Sequence, residues 1–493
     1  MRVGAASHND VNYLKLSGYW ILASLVYRAL LAYLMPLGTD EAYALAVGRS
    51  FSLSFFDHPP IGFWSPAIME YLINSSEFSL RFPNLIVGSL IQVVLFRIGV
   101  LIGGFKVGYY TVVVAVLSPI SFIAGLLIIP DTYLFLGLVL AFFILLKLID
   151  NPNLPLLWWV LGGGAFAIAL ASKYQAGLVV LSIFGWLLFS NECRGWLRKS
   201  YFWLAVSIAF LGVLPMLLWN MENDWSSFQF HSSRAGSGLN LSNFLIMLLA
   251  QCFYLYPVFL WYGIKAFFHK RFWLDKKHRL LLIAALAPVL FFNGLYWFSS
   301  SSLPHWTMPG WLLLLPLISI FVSRLDRKVF NYLVLVPSLT IHALILLFVI
   351  HLHSGLFTNS FDEIPVWDDT VPLISISSLD KRFYEYKTSL DGKLILAENW
   401  LEAGRLAHLF GPDVPVNVLG KKKNHFRYLK SNKYSGDVRF IKITSINSGA
   451  GDYEDAVELA RKYDSSALLE KVLLLKRGPR DYFRLLIIKM NLP

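Results

Sequence analysis

Charge is what this chain has little of. Asp, Glu, Lys and Arg make up only 15 % of its 493 residues, against 56 % hydrophobic residues. A soluble globular chain carries about 25 % charged residues. The shortage argues against a soluble enzyme and against a disordered chain, since neither keeps so much apolar side chain in water. Cysteine is nearly absent too. Cys193 and Cys252 form no disulfide framework and no C-x-x-C pair, which excludes a disulfide-rich secreted scaffold and a thiolate zinc site. There is no P-loop, no G-x-G-x-x-G turn and no H-E-x-x-H helix, so nucleotide, dinucleotide and zinc-protease chemistry lose their usual carriers. No internal repeat or low-complexity segment is visible.

What the chain has instead is long apolar runs. A hydrocarbon core of about 30 Å needs roughly 20 apolar residues per helix. Eleven stretches qualify, at approximately 18–36, 84–104, 108–128, 131–149, 155–172, 175–190, 201–219, 241–264, 280–298, 304–323 and 329–352. The first has no cleavage-site pattern and reads as a retained span rather than a signal peptide. Loop charges set the orientation. With the N-terminus in the cytoplasm, sixteen Lys and Arg from Arg2 to Lys328 fall on that side, and Arg49, Arg81, Lys173 and Arg234 on the other. Arg28 and Arg97 fall inside spans. This asymmetry accounts for most of the net charge of +12 without any nucleic acid as partner.

Composition changes near residue 353. The tail holds 21 Lys and Arg against 18 Asp and Glu, with no run long enough to span. Strand-like runs at 394–397, 414–419, 438–444, 472–475 and 482–488 alternate with helical stretches near 399–410 and 453–463. The expected architecture is an α-helical polytopic membrane protein of about eleven spans with a small C-terminal α/β domain on the external side. Its domains would be a transmembrane catalytic part, 1–352, and a soluble extracytoplasmic part, 353–493. The first external loop, 37–83, would carry interfacial helices over 40–51 and 60–73.

In such a protein the informative residues are polar clusters at the membrane surface. Five fall on the external side: Asp40-Glu41 with Asp57-His58-Pro59-Pro60, Pro130-Asp131, Ser172-Lys173-Tyr174, the run from Asn220 through His231 to Arg234, and Pro304-His305-Trp306. Each has a plainer reading. Acids suit a helix first turn, Pro-Asp starts a helix, Lys snorkels, and Trp and His sit in interfacial belts. Their gathering on one face is what argues for a site at the surface rather than a path through the bilayer. Carboxylates beside external cations suit a phosphorylated lipid substrate: the cations hold phosphate, Arg in bidentate fashion, and a carboxylate serves as general base for an acceptor hydroxyl. Nucleotide sugars are absent outside the cytoplasm, so glycosyl transfer there needs a lipid-borne donor.

These five motifs, in this order, resemble the bacterial glycosyltransferase family 39 type of the GT-C superfold. Its relatives include protein O-mannosyltransferases, the lipid A aminoarabinose transferase and the lipopolysaccharide-core galacturonosyltransferases. The resemblance covers most of residues 15–325 and extends more weakly to the tail, where Ala397-Glu398-Asn399-Trp400 through Val418-Leu419-Gly420 is similar to the family's soluble external domain. It implies inverting transfer of a sugar from a polyprenyl-phosphate donor at the inner membrane of a bacterium. Acceptors on the external face would be lipid A, lipopolysaccharide, another polysaccharide or a protein. Asp40 would be the catalytic carboxylate, Glu41 its support, and Asp131 a second acid lining the same pocket. His58, Lys173, Tyr174, His305 and Trp306 would bind substrate. Arg234 is added as a donor-phosphate candidate on its charge and side. No metal ligand set is assigned and no D-x-D lies near Asp40; the implied partners are the lipid-linked sugar, its acceptor and membrane lipids. A flippase of a lipid-linked sugar is the rival reading, and would need polar groups on both faces and through the middle.

Overall fold

The computed structural model describes residues 7–492 except 191–192, 234–237, 300–301, 362, 364, 366–367, 369, 371–372, 375–385, 388–389, 391–392, 421–423, 430–435 and 448–450. The chain packs as two compact units. The first comprises 1–29, 53–62 and 83–342, the second 30–52, 63–82 and 343–493.

Helices are numbered in chain order: α1 (His8–Leu34), α2 (Thr39–Gly48), α3 (Ile61–Leu72), α4 (Glu77–Leu117), α5 (Pro119–Ala124), α6 (Asp131–Asp150), α7 (Leu156–Leu170), α8 (Gln175–Phe189), α9 (Ser200–Leu211), α10 (Leu214–Glu222), α11 (Ser226–Ser233), α12 (Leu241–Leu255), α13 (Pro257–Phe268), α14 (Lys270–Leu274), α15 (Lys276–Tyr296), α16 (Met308–Val322), α17 (Arg327–Phe330) and α18 (Val336–Ser354). By length and composition six segments among the described residues can cross a membrane, or up to eight if two bent pairs each count once. That differs from eleven straight spans for visible reasons. The stretches 84–104 and 108–128 lie on two helical halves of α4, broken at Gly104, whose φ of 81° glycine adopts freely, and on the short α5; a Cβ on Gly99 before the break would fall 2.7 Å from Gly108 after it, so the halves fold back on each other. The α9–α10 pair bends by 43° and the α12–α13 pair by 105°. The second bend sits at Tyr256, φ 76°, followed by Pro257, which opens a new helix but cannot continue the old one. At 15 residues each, α7 and α8 are about 22 Å long, short of a full hydrocarbon core.

Inside the first unit, helices approach through small residues, as membrane helices do where lipid supplies no hydrophobic drive. A Cβ on Gly137 of α6 would fall 2.5 Å from the backbone N of Ala169 on α7, and one on Gly163 of α7 would fall 2.5 Å from the carbonyl of Ala205 on α9. Arg28, fully buried in α1, is satisfied by uncharged acceptors. It donates to the carbonyls of Ser24, Leu85 and Gly125 and to Ser89 Oγ at 2.9–3.3 Å. Glycines 88 and 125 leave room for its head group, since a Cβ on either would lie within 2.3 Å of Nη1. This in-span cation is therefore a structural tie between α1, α4 and the α5 turn.

The second unit is built on a five-stranded sheet of β1 (Ile395–Ala397), β2 (Val416–Val418), β3 (Gly436–Ser445), β4 (Leu468–Arg477) and β5 (Arg480–Leu492), in spatial order β2-β1-β3-β5-β4. β1 is parallel to β2 and β3; β5 is antiparallel to β3 and β4. The helix α19 (Trp400–Phe410) makes the β1–β2 crossover and α20 (Gly451–Arg461) the β3–β4 connection. The five strand-like runs and two helices read from the sequence all form, with β3, β4 and β5 longer than their runs and β1 and β2 shorter. α2 and α3 of the first loop are helical as expected, and they belong to this unit. Gly404 of α19 lets the backbone of Tyr43 approach so closely that a Cβ would meet it at 2.7 Å, and the Tyr43 and Trp400 rings stand edge to face at 4.6 Å. Arg49 grips Glu70 bidentately at 2.8 Å and donates to the Ala407 carbonyl at 2.9 Å.

Asn399 caps α19, its side chain accepting from the N–H groups of Leu401 and Glu402. Glu402 itself is largely buried, with Oε2 lacking a hydrogen-bond partner among the described residues. Burial, then the charge of Glu398, push its carboxyl up to about 7. A folded value above the unfolded one of about 4.3 means that stability held at acid pH is lost as pH rises through about 7. Glu402→Gln should therefore raise Tm at pH 8, by about 1–3 kcal/mol in stability terms, and leave it nearly unchanged at pH 5. Scanning fluorimetry at the two pH values checks this; an identical increment at both would remove Glu402 as the titrating group.

Candidate functional site

The site in the first unit begins at the N-terminus of α6. Pro130 precedes the helix and Asp131 is its first residue. An acid there suits the helix dipole, but the side chain is committed to an ion pair. Lys173 Nζ donates to Asp131 Oδ2 at 2.6 Å, with both side chains about 3 % exposed. Lys173 lies in the turn between α7 and α8, its backbone N–H bonded to the Ala169 carbonyl at 3.2 Å. No acid lies close to this cation along the chain; the fold supplies one from 42 residues away. The second carboxylate oxygen, Oδ1, is buried with no hydrogen-bond partner among the described residues.

Segment 53–62 of the first loop closes on this pair. Gly62 lies so close to Pro130 that a Cβ would meet its Cα at 2.8 Å, and the Ile61 N–H donates to the Ala171 carbonyl at 3.2 Å. His58, just before the two prolines, is held by its own turn, its carbonyl accepting from the Phe55 N–H at 2.9 Å and from Ser54 Oγ at 3.3 Å. His305 stands on the short helical turn Pro304–Thr307 that leads into α16. His305 and His58 are both close enough to act electrostatically on Asp131, after Lys173. Four of the residues expected at the site thus converge: Asp131, Lys173, His58 and His305.

Tyr174 stands beside a second polar wall. Its ring meets His231 of α11 edge to face at 4.7 Å, and its buried hydroxyl lies near Ser54, Asn220 and Ser227. Burial pushes this phenol up to about 12, so it stays a neutral hydroxyl at physiological pH. His231 Nε2 is 3.0 Å from the Asp57 carbonyl, Ser227 Oγ donates to the Phe55 carbonyl at 3.2 Å, and Asn220 Oδ1 accepts from the Ser227 N–H at 3.1 Å. The polar run from Asn220 through His231 to Arg234 is visible in the sequence, but it assigns no role to His231, Asn220 or Ser227. The signal was the cluster itself, masked by the aromatic residues around it.

The remaining expected residues are placed otherwise. Trp306 is buried and packs with Met247, Phe292 and Tyr296. Arg234 lies outside the described residues. Asp40 and Glu41 belong to the second unit. Asp40 is exposed at the second position of α2, while Glu41 is 3 % exposed. Glu41 accepts from Arg81 through both oxygens, at 2.9 and 2.5 Å, and from the Gly38 N–H at 2.7 Å. Arg81 also donates to the carbonyls of Ala32, Met35 and Pro36. Arg49 and Arg81, counted from sequence as external cations, are both bound to acids. Among the described residues no three His, Cys, Asp or Glu side chains are grouped to hold a metal ion.

A family model for dolichyl-phosphate-mannose-protein mannosyltransferase matches residues 57–219, which includes His58, Asp131, Lys173 and Tyr174. No curated protein matches the chain in sequence. In structure the chain is similar to ArnT from Cupriavidus metallidurans. Against the crystal structure of that protein bound to undecaprenyl phosphate the TM-score is 0.61 at 15 % identity, over 95 % of this chain and 97 % of that one. Against its apo state the TM-score is 0.60 at 14 % identity, with the same coverage. At this identity the likeness is one of fold: a polytopic α-helical membrane fold of GT-C type with a C-terminal β-sheet domain.

Proposed function

We propose that this chain is an integral-membrane glycosyltransferase that moves a sugar from a polyprenyl-phosphate donor to an acceptor on the external face, with inversion. The observation that carries the reading is the buried Lys173–Asp131 pair with one carboxylate oxygen left unpartnered and two histidines beside it. A buried polar atom without a partner costs free energy in the empty protein. A sugar or acceptor hydroxyl donating to Asp131 Oδ1 recovers that cost on binding, while His58 and His305 supply further hydrogen bonds. The fold shared with ArnT, a protein solved with undecaprenyl phosphate bound, supports a polyprenyl-phosphate donor; the match to the mannosyltransferase model supports transfer as the reaction class.

In this reading Asp40 takes the proton of the acceptor hydroxyl as that oxygen bonds to the anomeric carbon, and the bond from that carbon to the phosphate oxygen breaks. The polyprenyl phosphate leaves as an anion. Glu41 supports Asp40 by fixing the first turn of α2 through Arg81. Arg234 is the proposed contact for the donor phosphate. Lys173, tied to Asp131, orients the carboxylate instead of meeting phosphate alone. The protein would lie in a bacterial inner membrane with eleven passes, N-terminus inside, C-terminal domain and site outside. Lipid A, lipopolysaccharide, other polysaccharides and proteins are the acceptor classes.

The test is reconstitution of the purified protein in liposomes with radiolabelled polyprenyl-phosphate sugars and extracts of each acceptor class. Label should move to one class. Flux of the lipid-linked sugar across the bilayer with no transfer would replace this reading with a flippase. The orientation is checked in whole cells: an impermeant thiol reagent should label a cysteine placed at Ser466 and not one placed at Lys276.

A further inference from the structure

We propose that the first unit carries a second binding site, for a phosphate-bearing lipid headgroup, at the helix ends remote from Asp131. It does not depend on the catalytic reading. A cavity of about 460 Å³ opens where the α4 break, α14 and the C-terminus of α16 meet, with Lys106, Arg271 and Arg324 among its lining residues. A neighbouring cavity of about 290 Å³ shares His269 and Arg324 with it and adds Lys265. His305 lies before the N-terminus of α16 and Arg324 just after its C-terminus. Fifteen helical residues separate them, a rise of about 22 Å. The cavity is therefore at the opposite end of the helix bundle from the Asp131–Lys173 pair.

The cations come from three separate chain segments. Gly104, at φ 81°, breaks α4 and sets the direction of the chain at Lys106; Arg271 is on α14; Arg324 follows α16. Among the described residues none of the three has a carboxylate within ion-pair distance. The acid in the cavity, Asp275, is engaged elsewhere: its Oδ1 accepts from the N–H groups of Lys277 and His278, each at 2.9 Å, and lies 3.7 Å from His278 Nδ1. His269 lines both cavities, with Nδ1 buried and lacking a hydrogen-bond partner among the described residues, and its ring lies against Phe272 at 4.4 Å. A charge surplus that only oriented the protein in the bilayer would be spread along the loops. Here it converges on one concavity.

The walls decide the ligand class. Ile102, Val107, Phe272 and Ile320 line the same cavity as the cations. An apolar wall under a basic rim fits a phosphodiester whose acyl chains continue along the helices, as basic pockets between membrane helices take anionic headgroups. Guanidinium groups hold such a phosphate bidentately.

The experiment uses the purified full-length protein and two probes, dioleoylphosphatidylglycerol and soluble glycerol 3-phosphate, with dioleoylphosphatidylcholine as the neutral control. Lipid retention is read by native mass spectrometry through graded delipidation, and the soluble anion by its effect on Tm. Wild type should retain phosphatidylglycerol over phosphatidylcholine. Arg271→Gln with Arg324→Gln should reduce that retention at least ten-fold, and Lys106→Gln, tested alone, should weaken it to a smaller degree. Lys199→Gln, a cation outside the cavity, should not change it. If glycerol 3-phosphate raises the Tm of wild type but not of the double variant while both lipids are retained equally, the anion site stands and its source is soluble. Retention and Tm responses identical in wild type and all cavity variants would overturn the proposal.

Discussion

Lys173→Ala should be among the most damaging single substitutions in the first unit, and worse than removing both partners together. Asp131 and Lys173 are both about 3 % exposed. Taking the ammonium away leaves a carboxylate buried and uncompensated. Breaking a buried pair in this way costs about 3–5 kcal/mol, whereas replacing both charges by apolar residues of similar size is often neutral or better. Asp131→Leu combined with Lys173→Met should therefore recover most of the lost thermal stability in detergent. It should not recover sugar transfer, because the unpartnered Oδ1 and its two histidine neighbours would have lost the group they surround. Stability and activity thus move apart in the double variant. If that variant transfers sugar at the wild-type rate, the pair is a packing device and the proposed hydroxyl contact falls.

The pair also shows where sequence reading reaches its limit. Asp131 reads as a helix-start acid and Lys173 as an external cation, but their 42-residue separation hides the partnership. The same holds for Arg81 and Glu41, 40 residues apart. Side and charge are legible in a membrane protein because lipid imposes them on every span; pairing is a property of the packed helices. The tail is more legible. Its strands are short β-rich runs between turn residues, and α19 announces itself through the Asn399 cap and an apolar stripe. Spans were harder. Hydropathy registers the apolar content of 241–264 but not the positive φ at Tyr256, where that stretch bends by 105°. It likewise says nothing of α2 and α3 joining the sheet unit, which depends on Gly404 leaving space for Tyr43 and on Arg49 reaching Ala407.

Asp40 and Glu41 are adjacent in sequence, yet their surroundings call for different outcomes. Asp40→Asn preserves size and most hydrogen bonding but cannot take a proton. Asp40 is exposed, so the variant should insert, fold and retain donor lipid as wild type does. Its turnover should fall by ~10²–10⁴-fold, the usual loss when a general base is removed. Glu41→Gln should act through the fold. Arg81 is fully buried and draws its charge compensation from Glu41, so the neutral amide weakens two charge-assisted hydrogen bonds at about 1.5–3 kcal/mol each. A lower Tm and lower yield are expected, with the turnover of the correctly folded fraction changed far less than in Asp40→Asn. Asp57→Asn is the control for an acid in the same loop, since the Asp57 contact to His231 is made by its backbone carbonyl. Measured in one transfer assay with Tm recorded beside it, the expected order is loss of rate at Asp40 and loss of stability at Glu41. Near wild-type turnover in Asp40→Asn would remove it as the base and direct attention to Asp131, whose buried Oδ1 has no hydrogen-bond partner among the described residues.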